Sequence, residues 1–242
     1  MEFIIGVDIG GTFTDCVILD NEGTLTIGKA LSTPHDFSLG VIDSLTDGAA
    51  NLGLTGVEEL LRSTRLFFHA CTVADNTLIT RTGATTGLVV TQGFPDTFLM
   101  MRGDVTHGLT ESEASHIAAL DKPEPLVPRT LTEEVQGRID YKGSVLIDTD
   151  ERQIEEMVER LVGKGVESVA VCLLWSIAND AHEQAVAEVI RRKYPQVHVS
   201  CSSDVAPFLG EYERTATTIF NAYIGPPIAS YLHNLQQSLG DR

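Results

Sequence analysis

The chain has 242 residues, 43% of them hydrophobic and 6% aromatic, with 21 glycines and a formal net charge of −17. It is long enough to bury a core and too apolar for disorder. Its acidity excludes broad binding to a nucleic-acid backbone or to an anionic membrane surface, yet leaves a small phosphate-bearing anion admissible, because backbone amides and a divalent cation act locally. The four cysteines at 16, 71, 172 and 201 stand apart with no CxxC or Cys/His cluster, as reduced thiols do. Met1-Glu2-Phe3 lacks the basic start of a signal peptide, and no apolar run approaches the ~20 residues of a membrane span, so a cytoplasmic chain is expected.

In chain order, strands are expected at Phe3–Ile9, Thr12–Leu19 and Leu25–Leu31, joined by turns at Gly10-Gly11 and Asn21-Glu22-Gly23. Apolar spacing predicts a helix over Phe37–Ala50, then a strand at Arg65–His69, a helix start or loop at Thr72–Thr80, and a buried strand at Thr86–Thr91. Phe94–Pro128 has weak periodicity and reads as an irregular excursion, of the kind that often carries function. Val135–Ile139 and Val145–Ile147 suggest a hairpin about Lys142-Gly143. Helices follow at Asp150–Gly163 and Asp180–Tyr194, flanking a doubly covered apolar strand at Ser168–Trp175 and preceding a strand at Val197–Ser200. Gly210–Leu239 reads as a long helix that proline must kink or break at Gly225-Pro226-Pro227.

The first turn carries the chemistry. Paired glycines permit main-chain N–H groups to face outward, and Thr12 and Thr14 add hydroxyls that alternation places on one side of the strand. Asp8, at the end of the first strand, is placed to hold Mg²⁺ through water. Asp15 is expected on the opposite face from Thr12 and Thr14. A bare Gly-Gly turn favours a plain hairpin; an Asp two residues before it and a Thr directly after it favour a phosphate cradle of the actin, sugar-kinase and Hsp70 type.

Longer segments resemble one family. The run Gly-Val-Asp-Ile-Gly-Gly-Thr-Phe-Thr-Asp-Cys-Val-Ile-Leu-Asp at 6–20 resembles the opening of the hydantoinase A/5-oxoprolinase family, which includes acetone and acetophenone carboxylase subunits. His69 to Arg81, Gly87 to Phe94, Val169 to Glu183 and Glu211 to Tyr223 are similar to further family segments, in order. The resemblance implies an α/β protein of the actin-like ATPase (ribonuclease H-like) fold, with a mixed sheet, helices on both faces and an N-terminal antiparallel meander. It implies a domain over 1–205, and a helical segment over 206–242 that starts a second lobe. It also implies an enzyme using ATP with Mg²⁺ or Mn²⁺ to activate a carbonyl or enolate oxygen of a small substrate: a lactam, a hydantoin or a ketone. Asp8, Gly10, Gly11, Thr12 and Thr14 would contact phosphate or metal, with Asp8 and Thr14 nearest the chemistry; Thr72 and Asn76 would approach nucleotide or substrate. The partner implied is a second subunit or a C-terminal lobe, with neither nucleic acid nor membrane. A non-catalytic assembly subunit and a small stand-alone kinase are the alternatives. The chain departs from the family at His69-Ala70, where a His-Gly pair is usual, and at Cys71, where Thr is usual.

Other residues carry weaker signals. His182-Glu183 lacks the second helical ligand of a metalloprotease, since residue 186 is Val, and reads as capping or packing. Cys71 reads as an inert thiol and His69 as a structural histidine near a cleft. Arg102, Asp104 and His107 sit in the irregular excursion.

Overall fold

The computed structural model describes residues 2–103, 109–116 and 124–240, so Asp104 and His107 lie outside the described residues. The chain forms two compact units, one of residues 1–83 with 227–242, the other of residues 84–226.

The first unit is built on a sheet of order β3-β2-β1-β4: β1 (Phe3–Ile9), β2 (Phe13–Leu19), β3 (Leu25–Leu31) and β4 (Thr64–Cys71). The β1–β2–β3 meander is antiparallel and β4 joins β1 in parallel, which makes this the mixed sheet expected from the sequence. Alternation decides its two faces. Phe3, Ile5, Val7 and Ile9 point into a core closed by α1 (Phe37–Asn51), α2 (Val57–Arg62), the first turn of α3 (Val73–Thr80) and the end of α9 (Glu211–Gly240). Asp36 caps α1, its carboxylate accepting the Ser38 amide at 3.0 Å. The β3–α1 approach is close enough to demand glycine: a Cβ on Gly28 would stand 2.2 Å from the Ser44 carbonyl oxygen and 2.5 Å from the Gly48 nitrogen.

The second unit holds a parallel sheet, β10-β9-β5-β6, of β5 (Thr86–Thr91), β6 (Thr132–Val135), β9 (Ser168–Cys172) and β10 (His198–Cys201). Val89, Val169 and Val171 face α6 (Glu151–Gly163) and α7 (Ala181–Lys193); Leu88, Val90, Ala170 and Cys172 face Ile219 and Ala222 of α9. Helices therefore cover both faces, which is why β5 and β9 read as unbroken apolar runs. The expected hairpin is shorter than its apolar pattern: β7 (Arg138–Ile139) pairs with β8 (Val145–Ile147), while Val135 belongs to β6. The irregular excursion contains the short helices α4 (Thr97–Met100) and α5 (Glu111–Ala114), and α8 (Ser202–Val205) follows β10.

Two sequence expectations are corrected. The strand from Ser168 ends at Cys172 rather than Trp175, because the Leu173 amide is taken by Glu183 Oε1 at 2.8 Å and the Leu174 amide by Thr91 Oγ1 at 3.0 Å. Trp175 then turns the chain with φ of 61°. The helix through Gly225-Pro226-Pro227 is not broken; α9 runs from Glu211 to Gly240. Pro227 has no N–H for the Tyr223 carbonyl, and that oxygen instead accepts the Ala84 amide at 3.0 Å, so the deficit left by proline is satisfied from outside the helix.

Gly28→Ala is expected to cost about 2–3 kcal/mol, since overpacking against backbone has no flexible side chain to yield. Gly6→Ala, where a Cβ meets nothing within 4 Å, should leave stability within about 1 kcal/mol of the parent. Urea midpoints of the two variants decide it, and equal stability would contradict the packing of β3 on α1.

Candidate phosphate-binding hairpin

The hairpin between β1 and β2 pairs Ile9 with Thr14 and Asp8 with Asp15, leaving Gly11 and Thr12 exposed at the tip. Gly10 donates its amide to the Phe13 carbonyl at 3.0 Å, and a Cβ on it would stand 3.1 Å from that oxygen. Neither Gly10 nor Gly11 has a positive φ, so glycine serves tightness here rather than left-handed backbone. The Gly11 and Thr12 amides have no acceptor among the described residues.

Three anchors hold this tip. Thr72 sends both its amide and its hydroxyl to the Ile9 carbonyl, each at 3.1 Å. Ser32 Oγ donates to the Gly10 carbonyl at 2.8 Å, and the Ser32 amide to the Thr12 carbonyl at 2.9 Å. Asn76, one turn into α3, donates Nδ2 to Thr72 Oγ1 at 3.2 Å and stands close to Gly11, 3.7 Å from where a Cβ would be.

Register regroups the predicted residues. Thr14 does not share a face with Asp8: it is 0% exposed on the core side, its hydroxyl 3.0 Å from Ser32 Oγ. It belongs to the support of the tip, through Ser32 and the Gly10 carbonyl. Asp15, which the sequence left without a role, stands directly across from Asp8 on the open face of the sheet. Counting outward from a two-residue loop of Gly11-Thr12 would have found this pair from sequence. Lys29 neutralises Asp15 at 2.6 Å, itself lying over the Phe13 ring, and leaves Asp8 as the carboxylate of that row with no ion pair among the described residues. Among the described residues there is no cluster of three His, Cys, Asp or Glu fit to cage a metal. One or two hard carboxylates beside free amides instead suit Mg²⁺, which keeps most of its waters and takes the remaining ligands from phosphate.

Behind the hairpin, His69 lies on the core side of β4 and is hydrogen-bonded through Nε2 to the Tyr231 hydroxyl. Burial pushes the His69 imidazole down from its ordinary range, outweighing the pull of nearby Asp8, and burial pushes the Tyr231 phenol up. A neutral imidazole accepting from an un-ionised phenol satisfies both. The other candidates are structural. Glu183 is buried and accepts from the Leu173 and Ser203 amides and from Ser202 Oγ. Burial raises the Cys16 and Cys172 thiols and pushes Cys201 up to about 12, so these three are not nucleophiles.

The hydantoinase/oxoprolinase N-terminal region model matches residues 4–194. The chain belongs to the hydantoinase/oxoprolinase family. The acetophenone carboxylase gamma subunit of Aromatoleum aromaticum is 40% identical over 91% of this chain and 31% of its own. Nucleotide-free acetone carboxylase superposes with a TM-score of 0.88 at 30% identity, over 99% of this chain and 34% of that one. The ATP-dependent caprolactamase of Pseudomonas jessenii superposes at 0.86 and 34% identity, over 98% and 33%. Relatives also include 5-oxoprolinases. The chain thus has the α/β architecture of this family's N-terminal region, in keeping with an actin-like ATPase fold, and spans about a third of the length of the relatives it superposes on. No helix among the described residues is long and apolar enough to cross a membrane.

The state of His69 is testable within this family fold. Its imidazole should titrate below about 6.5 by NMR, because the folded chain favours the neutral form. The unfolded chain then binds the extra proton first, so this contribution to stability is complete above about pH 6.5 and is lost as pH falls below it. Tyr231→Phe removes a donor to the neutral ring and should move the midpoint upward; an unshifted midpoint would contradict the bond.

Proposed function

We propose that this chain is the N-terminal ATP-binding part of an ATP-dependent hydantoinase/oxoprolinase-type hydrolase or ketone carboxylase subunit. The observation that carries the reading is the hairpin tip, where Gly11 and Thr12 hold amides with no acceptor among the described residues beside the Asp8–Asp15 row. The chemistry ATP supplies when bound is its γ-phosphoryl group, which passes to a carbonyl or enolate oxygen of a small substrate while the bridging oxygen leaves with ADP. Gly11 and Thr12 bind terminal phosphate oxygens through their amides, and the Thr12 hydroxyl adds a donor. Thr72, Ser32 and, behind it, Thr14 fix that backbone in advance, so little reorganisation is needed when charge develops. Asp8 holds Mg²⁺ or Mn²⁺ through water, with Asp15 kept in its salt bridge to Lys29. Asn76 orders the approach to Gly11.

A second lobe or subunit completes the site in this reading. Its support is the open face of the first sheet, where rows of Leu25, Ile27, Leu31, Val17, Leu66 and Phe68 stand exposed, Leu31 at 66% and Phe68 at 59%. A contiguous apolar face of this kind marks an interaction surface.

In the complete assembly, Asp8→Asn should lower substrate-dependent ATP hydrolysis on the order of a hundredfold, as removal of one preorganised electrostatic group does. Wild-type turnover would remove Asp8 from the mechanism. Ile27→Lys with Phe68→Lys should keep the isolated chain folded by circular dichroism and abolish its assembly with the remaining lobe or subunit; unchanged assembly would refute the partner surface.

A further inference from the structure

A cavity of about 560 Å³ opens beside the hairpin tip within the first unit, with Gly11 in its wall. Neither Asp8 nor Asp15 lines it, so it is not the metal row of the phosphate site. Its walls are α3, the residues leading into α1, and the last turns of α9. Phe37, Val73 and Pro227 supply apolar surface, and Tyr231 is held against Phe37 edge to face at 6.3 Å.

The polar groups sort by whether the fold already uses them. Tyr231 is bonded to His69, Thr77 Oγ1 to the Val73 carbonyl, and Thr80 Oγ1 to the Asn76 carbonyl. Asp36 accepts from Ser38. By contrast the side chains of Ser230, Asn234 and His35 line the cavity with no hydrogen bond to another described residue. Asn76 uses Nδ2 on Thr72 and keeps Oδ1 as an acceptor beside Gly11. The free groups thus offer an amide's donor and acceptor, a hydroxyl and an imidazole. Among the described residues the lining contains no Lys or Arg, and it does contain the Asp36 carboxylate. A ligand carboxylate placed here would meet a like charge and no fixed cation, a costly arrangement away from water. An uncharged carbonyl compound meets apolar walls and complementary amide groups, the usual composition of a small-molecule site.

We propose that this cavity seats the substrate oxygen next to the hairpin, and that it takes a small uncharged carbonyl compound while excluding the same ring bearing a carboxylate. The inference rests on the phosphoryl-transfer reading of the hairpin and adds the substrate's charge class and its recognition by Asn76, Ser230 and Asn234.

The matched probes are 2-pyrrolidinone and 5-oxoproline, identical rings without and with a carboxylate, titrated into the complete assembly, in which this chain alone is isotope-labelled, and followed by amide NMR. 2-Pyrrolidinone should shift Gly11, Asn76 and Asn234 and bind on the order of tenfold or more tightly than 5-oxoproline, the penalty of an unpaired carboxylate. Asn234→Lys, which installs the missing cation, should reverse the order. Equal or tighter binding of 5-oxoproline to the parent chain would overturn the proposal, as would a lining that neither probe moves. ATP with Mg²⁺ is titrated separately into the complete assembly, in which this chain alone is isotope-labelled, and read at Gly11 and Thr12. If those amides move while neither ring compound binds, the cavity proposal falls and the phosphate hairpin stands; if they stay still, the hairpin reading falls on its own evidence.

Discussion

The end of β1 governs the rest of the site. Its Ile9 carbonyl is claimed twice by Thr72, and the next carbonyl, of Gly10, is claimed by Ser32. Satisfying those acceptors from α3 and from the segment after β3 fixes the hairpin without using the donors at its tip. Backbone polar groups ordinarily find partners when a chain folds. Here the acceptors are paired inward and the Gly11 and Thr12 donors are left outward, an asymmetry that suits an anion even on a chain of net charge −17. A global acidic field sets solubility and steering; a local row of amides sets what the tip can hold.

How far the sequence carried this depended on which physical term decided each feature. The meander, α1, α6 and α7 were legible because apolar spacing alone specifies them. The hairpin was legible from its paired glycines, and alternation placed Asp15 on the face opposite Thr14; the pairing of Asp15 with Asp8 needed the register across the loop as well. Whether Thr14 or Asp15 accompanies Asp8 turns on a register shift of one residue, and such a shift moves every side chain to the other face. The end of β9 and the continuity of α9 were illegible for a different cause. Glu183, Thr91 and Ala84 each supply one long-range hydrogen bond that changes how the local chain behaves, and local propensity contains none of them.

The two sheets show why covering matters to function. In the parallel sheet both faces are filled by helices, and its strands read as apolar throughout. The first sheet is apolar on both faces as well, yet the face bearing Leu25, Ile27, Val17 and Phe68 has no helix over it among the described residues. One polar row crosses that face, Lys29–Asp15–Asp8, at the hairpin end. The charged row thus lies between apolar pairs on a single pleated face, with Phe13–Leu31 nearer the tip and Val17–Ile27 and Leu19–Leu25 farther from it.

That geometry also reinterprets the two departures from the family pattern. Cys71 pairs with Ile9 and lies partly buried against the core cluster, so a hydroxyl lost at this position is lost from the core side and not from the open face. The anchoring hydroxyl is supplied one residue later, by Thr72. Ala70 pairs with Asp8, and its methyl adds to the open face beside that carboxylate without touching the tip. Neither change removes a donor or an acceptor from the hairpin. The Ala70 and Cys71 departures therefore fall outside the hairpin tip and the hydrogen bonds that anchor it.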